Sequence, residues 1–381
     1  MTKSIGVTSR EDAFLVLNGM RGVGPVMLRR LLERFNEDPV SVLHSSEAEL
    51  MSVKGVGEKA TSGIRAWRDG NWLELERGRI AKHGARFITV EDRDYPQALH
   101  EMFDPPIGLY CQGSPPSEPC VAIVGTRQPT LYGQNMARRI ASGLANSGFC
   151  IVSGMARGID AAAHEGALEA SGRTVAVFGC GIDVIYPPEH LNLYRRIVET
   201  GAVVSEFPFA RRADRQTFPM RNRVVAGMCV GVVVVESSAV GGSMITARFA
   251  GEQGRQVFAV PGRADQPTSV GCHKLIREGA TLVTHAEQVI DELAPSLGLS
   301  PSSSSSVGDS DPSSIKAIPD NLSPAEEALY SCLNDGSILS FDSLSERTNF
   351  PVHEVAAALT MLELKRLISK CPDGSFEVRS F

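Results

Sequence analysis

The chain has 381 residues, 43% of them hydrophobic and 22% charged, a balance that fits a folded protein of two or three domains and excludes general disorder. Its formal charge of -6 excludes a surface that is basic throughout, so any polyanion must be met by a local patch. The eight cysteines form no CxxC pair and have no histidine at metal-ligand spacing, so they are read as reduced and mostly buried, with neither metal nor cofactor implied.

The chain opens with "MTKSIGVTSREDAF", which has no apolar signal core, and no later stretch reaches the roughly 18 apolar residues that span a bilayer. A cytoplasmic protein without a membrane partner is expected. Residues 1–84 read as a helical domain of the helix-hairpin-helix or SAM-like kind. Two Gly-Val-Gly turns (Gly22 and Gly24; Gly55 and Gly57) each precede a helix, where backbone N–H groups can meet a phosphate. A small packing domain that touches no DNA reads equally well from the same pattern.

From 85 to 295 the pattern becomes apolar β-branched runs alternating with amphipathic helices. "CVAIVG" (120–125), "FCIVSG" (149–154), "TVAVFG" (174–179), "AVVSEF" (202–207), "GVVVVES" (231–237) and "QVFAVPG" (256–262) are nearly continuous hydrophobic segments. Strands of this kind are buried on both faces, which predicts an α/β, Rossmann-like, doubly wound and mostly parallel sheet. Residues 296–320, rich in serine and proline, read as a disordered linker. Residues 321–381 read as a winged helix: three helices, the first capped by Ser323 and Pro324, and a hairpin around "PDG". Its "PVHEVAAALTMLELKRLISK" stretch sets Lys365, Arg366 and Lys370 against Glu354 and Glu363, a balance that does not favour duplex DNA and fits protein contact at least as well.

In such a sheet, ligands sit beyond the carboxyl ends of the strands, where this chain puts its glycine loops. The expected phosphate rim comprises Gly125, Thr126 and Arg127; then Ser153, Gly154, Arg157 and Gly158; then Gly241, Gly242, Ser243 and Thr246. Neither G-x-x-x-x-G-K-[ST] nor G-x-G-x-x-G follows the first strand, which argues against a P-loop motor and against a nicotinamide cofactor. His164 reads as a helix-facing or capping histidine ahead of a catalytic base, Glu206 equally as a structural or a ligand group, and Asp183 and Tyr186 as turn formers. No nucleophile and base stand together, so an enzyme is not expected.

Arginine is concentrated in 211–223, where Arg211, Arg212, Arg215, Arg221 and Arg223 face one carboxylate, Asp214. Between 85 and 293 the only lysine is Lys274. Arginine over lysine is the preference of bidentate phosphate binding and base stacking, so the cluster reads as an anion site with some structural ion pairs. Aromatic residues near these loops are few, namely Tyr132, Phe207, Phe209 and Phe218.

"VAIVGTRQPTLYG", "IVSGMARGIDAAAHEGAL", "GIDVIYPPEH", "VSEFPF", "FPMRNRVVAGM", "ESSAVGGSMITARFAGEQGRQVFAVPG" and "LIREGA" stand in the order and spacing of the DNA-processing protein A family (DprA, also called Smf), which the chain resembles over about residues 85–293. The resemblance implies a single-stranded DNA-binding protein of natural transformation. It would protect incoming strands, load the RecA recombinase, displace single-strand-binding protein and work as a homodimer, with no enzyme activity. By position, Gly125, Thr126 and Arg127 match the family's phosphate loop, and Arg221, Asn222 and Arg223 its "RNR" motif. Arg211 or Arg212 falls near a basic position of its pocket. His273 replaces the family's usual asparagine, and Met228 and Cys229 its more frequent Leu-Ser. Two rival classes remain: a nucleotide-processing enzyme with Glu206 as acid or base, and an interaction module acting through the winged helix.

Overall fold

The computed structural model describes residues 7, 9–20, 22–67, 71–214, 216–298, 322–334, 337, 339–348, 350–365, 367–370 and 374–378. Arg215, Arg366, Cys371 and residues 299–320, most of the expected linker, lie outside the described residues. The chain divides into two units, Met1–Ser300 and Pro301–Phe381.

The first unit begins with six helices: α1 (Arg10–Gly19), α2 (Pro25–Arg34), α3 (Pro39–His44), α4 (Glu47–Met51), α5 (Glu58–Ala66) and α6 (Trp72–Lys82). Gly24 is the N-cap of α2 and supplies no side chain to its first turn. These helices share one core with the sheet: Phe14, Leu17 and Leu31 cluster with Phe87, Tyr110 and Phe209.

The sheet strands are β1 (Arg86–Thr89), β2 (Gly108–Gly113), β3 (Cys120–Gly125), β4 (Cys150–Ser153), β5 (Thr174–Phe178), β6 (Ala202–Ser205), β7 (Gly231–Val235), β8 (Gln256–Ala259) and β9 (Thr281–Leu282). Their spatial order is β1-β2-β6-β5-β4-β3-β7-β8-β9. From β6 across to β9 all pairs are parallel, while β2 runs antiparallel to both β1 and β6. The intervening helices are α7 (Gln97–His100), α8 (Leu131–Asn146), α9 (Ile159–Glu169), α10 (Leu191–Thr200), α11 (Thr217–Gly227), α12 (Gly242–Glu252), α13 (Val270–Arg277) and α14 (Ala286–Leu293).

Both faces of the sheet are covered, as the continuous apolar runs require. Along β3, Val121 and Ile123 pack with Ile140, Leu144 and Val289, whereas Cys120, Ala122 and Val124 pack with Val224, Ala247 and Cys272 on the other side. Alternate side chains point to opposite faces of a strand, so a strand buried twice must be apolar throughout. The seven described cysteines carry no disulfide, and six of them are buried. Among the described residues, no helix is long and apolar enough to cross a membrane.

The second unit holds α15 (Pro324–Leu333), α16 (Phe341–Thr348), α17 (Val352–Leu364), β10 (Ile368–Lys370) and β11 (Phe376–Val378). Ser323 and Glu326 form a reciprocal capping box at the start of α15, and Lys365 Nζ lies 2.9 Å from Glu326. Strands β10 and β11 pair antiparallel, Ile368 opposite Val378. Three helices and a hairpin make a winged helix.

Candidate functional site

After β3 the chain winds through β4 and β5 to β6 on one side, then returns through β7, β8 and β9 on the other. The loops leaving β3 and β7 therefore diverge and leave a crevice at their carboxyl ends. Gly125 closes β3 there. A Cβ on it would stand 1.9 Å from the Val235 carbonyl oxygen and 2.6 Å from Ile159, so only glycine fits. Thr126 N–H donates to the Glu236 carbonyl (2.8 Å), and the Thr126 carbonyl accepts from Ile159 N–H (3.2 Å). Glu236, with φ +48°, turns its buried carboxylate back to accept from the Thr130 N–H (2.8 Å) and hydroxyl (2.5 Å). Thr130 in turn caps α8 by accepting from Gly133 N–H. The loop 126–130 is thus fastened to β7 and to two helix starts.

The crevice holds a pocket of about 340 Å³, lined by Gly125 to Arg127, Asp160, Phe218, Pro219, Arg221, Asn222 and the start of α12. Gly241 and Gly242 open α12 beside it. The first N–H groups of a helix have no partner within it and favour an anion. Ser243 Oγ donates to Ser237 Oγ (2.7 Å), and Asn222 Nδ2 donates to the Gly242 carbonyl (3.3 Å), joining α11 to α12.

Arg221 lies at the back of the pocket, 6% exposed, with Nη1 at 3.9 Å from Asp160 Oδ2. Asp160 also accepts from the N–H groups of Gly154 (3.1 Å) and Ala156 (3.3 Å). Burial pushes the Asp160 carboxyl up from its ordinary range against the pull of Arg221 and these amides, and it pushes the Arg221 guanidinium down. Arg221 Nε has no partner among the described residues. At the mouth, the exposed Arg127 lies over the Phe218 ring, 5.2 Å from its centroid, and Phe218 in turn contacts Tyr186 at 6.1 Å.

The structure thus brings together Gly125, Thr126, Arg127, Arg221, Asn222, Gly241, Gly242, Ser243 and Thr246 around one pocket. Others of the expected rim have different positions. Ser153 is fully buried and donates to the Ile123 carbonyl, so its hydroxyl faces no ligand. Gly154 lies under Arg221 with its N–H given to Asp160. Gly158, at φ +82°, packs against the Thr126 carbonyl. Arg157 is exposed and paired with Glu189 at 2.5 Å.

Arg223 departs furthest from expectation. Residues 217–227 form helix α11, and each helical residue turns by about 100°, so Arg221 and Arg223 point to opposite sides. Arg223 is buried against Glu206 and Asp104 and holds no part of the pocket. Glu206 correspondingly holds Arg223 through one carboxylate oxygen, its carboxyl pushed up by burial against the pull of Arg223. Arg211 and Arg212 are exposed and line a separate groove. Glu236 and Tyr186 were not singled out by sequence for the pocket, because their contacts come from distant loops.

His164 is fully buried. Its Nδ1 donates to Thr174 Oγ1 (2.6 Å), whose hydroxyl donates to the Ile151 carbonyl (2.7 Å). Burial pushes the imidazole down to about 3, so it is neutral at physiological pH.

The family model of DNA recombination-mediator protein A matches residues 86–294, and that of the DprA winged helix domain matches residues 314–374. The chain belongs to the DprA/Smf family. It is 33% identical to Protein Smf of Synechocystis sp. over 97% of this chain and 99% of that one. Among solved structures it is similar to DNA processing protein A of Streptococcus pneumoniae, with a TM-score of 0.64 and 32% identity over 74% of this chain and 97% of that one. A DprA from Helicobacter pylori, reported for its single-stranded DNA binding mode, covers 55% of this chain and 97% of its own, with a TM-score of 0.50 and 31% identity. Within the DprA fold, the unusual positions lie away from the pocket. His273 hydrogen-bonds the Gly262 carbonyl through Nε2 at 3.0 Å, and Met228 and Cys229 are buried in the sheet core.

Proposed function

We propose that this DprA/Smf protein binds single-stranded DNA, with little regard to sequence, at the pocket between β3 and β7. The observation that carries this reading is the meeting, at one glycine-lined crevice, of a buried Arg221 whose Nε has no partner among the described residues with an exposed Arg127 stacked on Phe218. A guanidinium and open amides suit a phosphate, and an aromatic face beside them suits a base of any identity. A closed duplex would offer phosphates but no free base face. The single-stranded DNA binding reported for the H. pylori relative supports the same assignment.

The role is that of a non-enzymatic mediator in DNA processing during transformation. Asp160 is committed to Arg221 and two backbone amides, and His164 to Thr174, which leaves neither poised as a base. The recombination-mediator description of the family supports RecA as partner, with strand protection, displacement of single-strand-binding protein and homodimer action as parts of the same proposal. The test is RecA's DNA-dependent ATPase on a single strand coated with single-strand-binding protein. Added protein shortens the lag if it loads RecA. An unchanged lag, at concentrations where the strand is bound, removes RecA loading and leaves binding alone.

A further inference from the structure

A groove of about 1020 Å³ lies beyond the first turn of α11 from the pocket. One wall is the first Gly-Val-Gly turn, Gly22 to Pro25, with Asn18 to Met20. The other is the loop from Glu206 to Asp214, and Thr217 and Met220 of α11 also line it. The walls are tied together: Asn18 Nδ2 donates to the Glu206 carbonyl (2.9 Å), and Glu76 of α6 accepts from Phe209 N–H (2.8 Å).

The groove presents two kinds of partner. Arg211 is paired with Asp214 at 2.6 Å, but Arg212 is exposed and has no ion-pair partner among the described residues. The start of α2, capped by Gly24 without a side chain, adds backbone N–H groups. Glu206, whose side chain is 9% exposed, lines the same groove; one carboxylate oxygen meets Arg223 and the other has no partner among the described residues. Donors for an anion beside an acceptor that needs an N–H suit a nucleotide, which carries a phosphate and a base edge. The pocket and the groove also adjoin. Phe218 and Asn222 of α11 line the pocket, Thr217 and Met220 line the groove, and Ala213 lies beside Tyr186 and Phe218 between them.

We propose that the strand held at the β3/β7 pocket continues across the first turn of α11 into this groove, so that the hairpin Gly22–Pro25 is the second wall of the strand's path. This rests on the pocket binding single-stranded DNA. It gives the N-terminal helices a direct part in that binding, and it assigns Arg212 to a flanking phosphate.

The test uses the full chain, an oligothymidylate carrying 4-thiothymidine for photocrosslinking, and thymidine 3′,5′-bisphosphate as a one-nucleotide probe. Gly24 lines the groove and a Cβ on it meets nothing within 4 Å, so Gly24→Glu adds a negative charge to this wall with room for its Cβ. The expected result is crosslinks at both Tyr186 or Phe218 and residues 18–25, the latter lost in Gly24→Glu. Arg212→Glu should lower the salt slope of oligothymidylate binding by about 0.7, one phosphate contact on a single strand. Both variants should keep the crosslinks at Tyr186 or Phe218, which report the pocket alone. Crosslinks confined to the pocket, with unchanged oligothymidylate affinity in Gly24→Glu, would overturn the groove and leave the pocket standing. Failure of wild type to bind either probe would remove both.

Discussion

A Cβ on Gly154 would lie 1.2 Å from Nη1 of Arg221. The glycine of one loop is therefore the seat of an arginine from a helix far along the chain, and the pocket depends on that fit. Gly154→Ala changes no charge yet must displace the guanidinium. It should weaken single-strand binding by roughly tenfold or more, the scale of one charge-assisted hydrogen bond. Anisotropy titration of a labelled oligonucleotide with the folded variant checks this; unchanged affinity would show that the position of Arg221 is immaterial.

Removing Arg221 alone leaves Asp160 buried and uncompensated. Arg221→Met should cost about 3–5 kcal/mol of stability, and adding Asp160→Asn should recover much of it, since the amide oxygen still accepts from Gly154 and Ala156. Urea unfolding of the single and double variants measures both effects.

Arg223 and Arg127 should separate stability from binding. Arg223→Ala breaks a buried pair with Glu206 and should destabilise by about 3–5 kcal/mol while the folded fraction binds DNA as before. Arg127→Ala, at an exposed position, should leave the melting temperature unchanged and weaken binding. Equal binding losses in both would contradict the opposite orientation of the two side chains.

His164 predicts an acid-sensitive fold. Its folded pKa of about 3 lies below the ordinary 6.5, so the unfolded chain takes the proton first as pH falls. The stability it supports is present above about 6.5 and is lost toward 3, at close to 1.4 kcal/mol per pH unit within that window. Urea unfolding of wild type and His164→Gln from pH 7 to about 4 should show the smaller slope in the variant; parallel slopes would assign the acid sensitivity elsewhere.

Six sheet strands were legible because burial on both faces demands unbroken apolar runs, and β3 to β8 have them. The outer strands were not: "GLYCQG" of the antiparallel β2 mixes glycine and glutamine with its apolar residues, and the parallel β9 at the other side is only two residues long. Helix α11 was hidden for a different reason. Its buried positions surround the axis, with Arg221 and Arg223 each satisfied by a separate carboxylate, so no helical stripe appears in "TFPMRNRVVAG". Read without the helix, the two arginines seemed one cluster. The glycine loops were visible, but that Gly154 seats Arg221 and Glu236 anchors Thr130 depends on contacts between distant segments.

The measurement that bears most directly on the central claim is a titration of labelled single-stranded and duplex oligonucleotides across a salt series, with wild type and the Asp160→Asn, Arg221→Met double variant. Wild type should show a clear single-strand preference with a slope of roughly -0.7 per phosphate neutralised, and a folded double variant should lose that preference. Equal binding of single strand and duplex by wild type, or unchanged single-strand binding by the double variant, would contradict it.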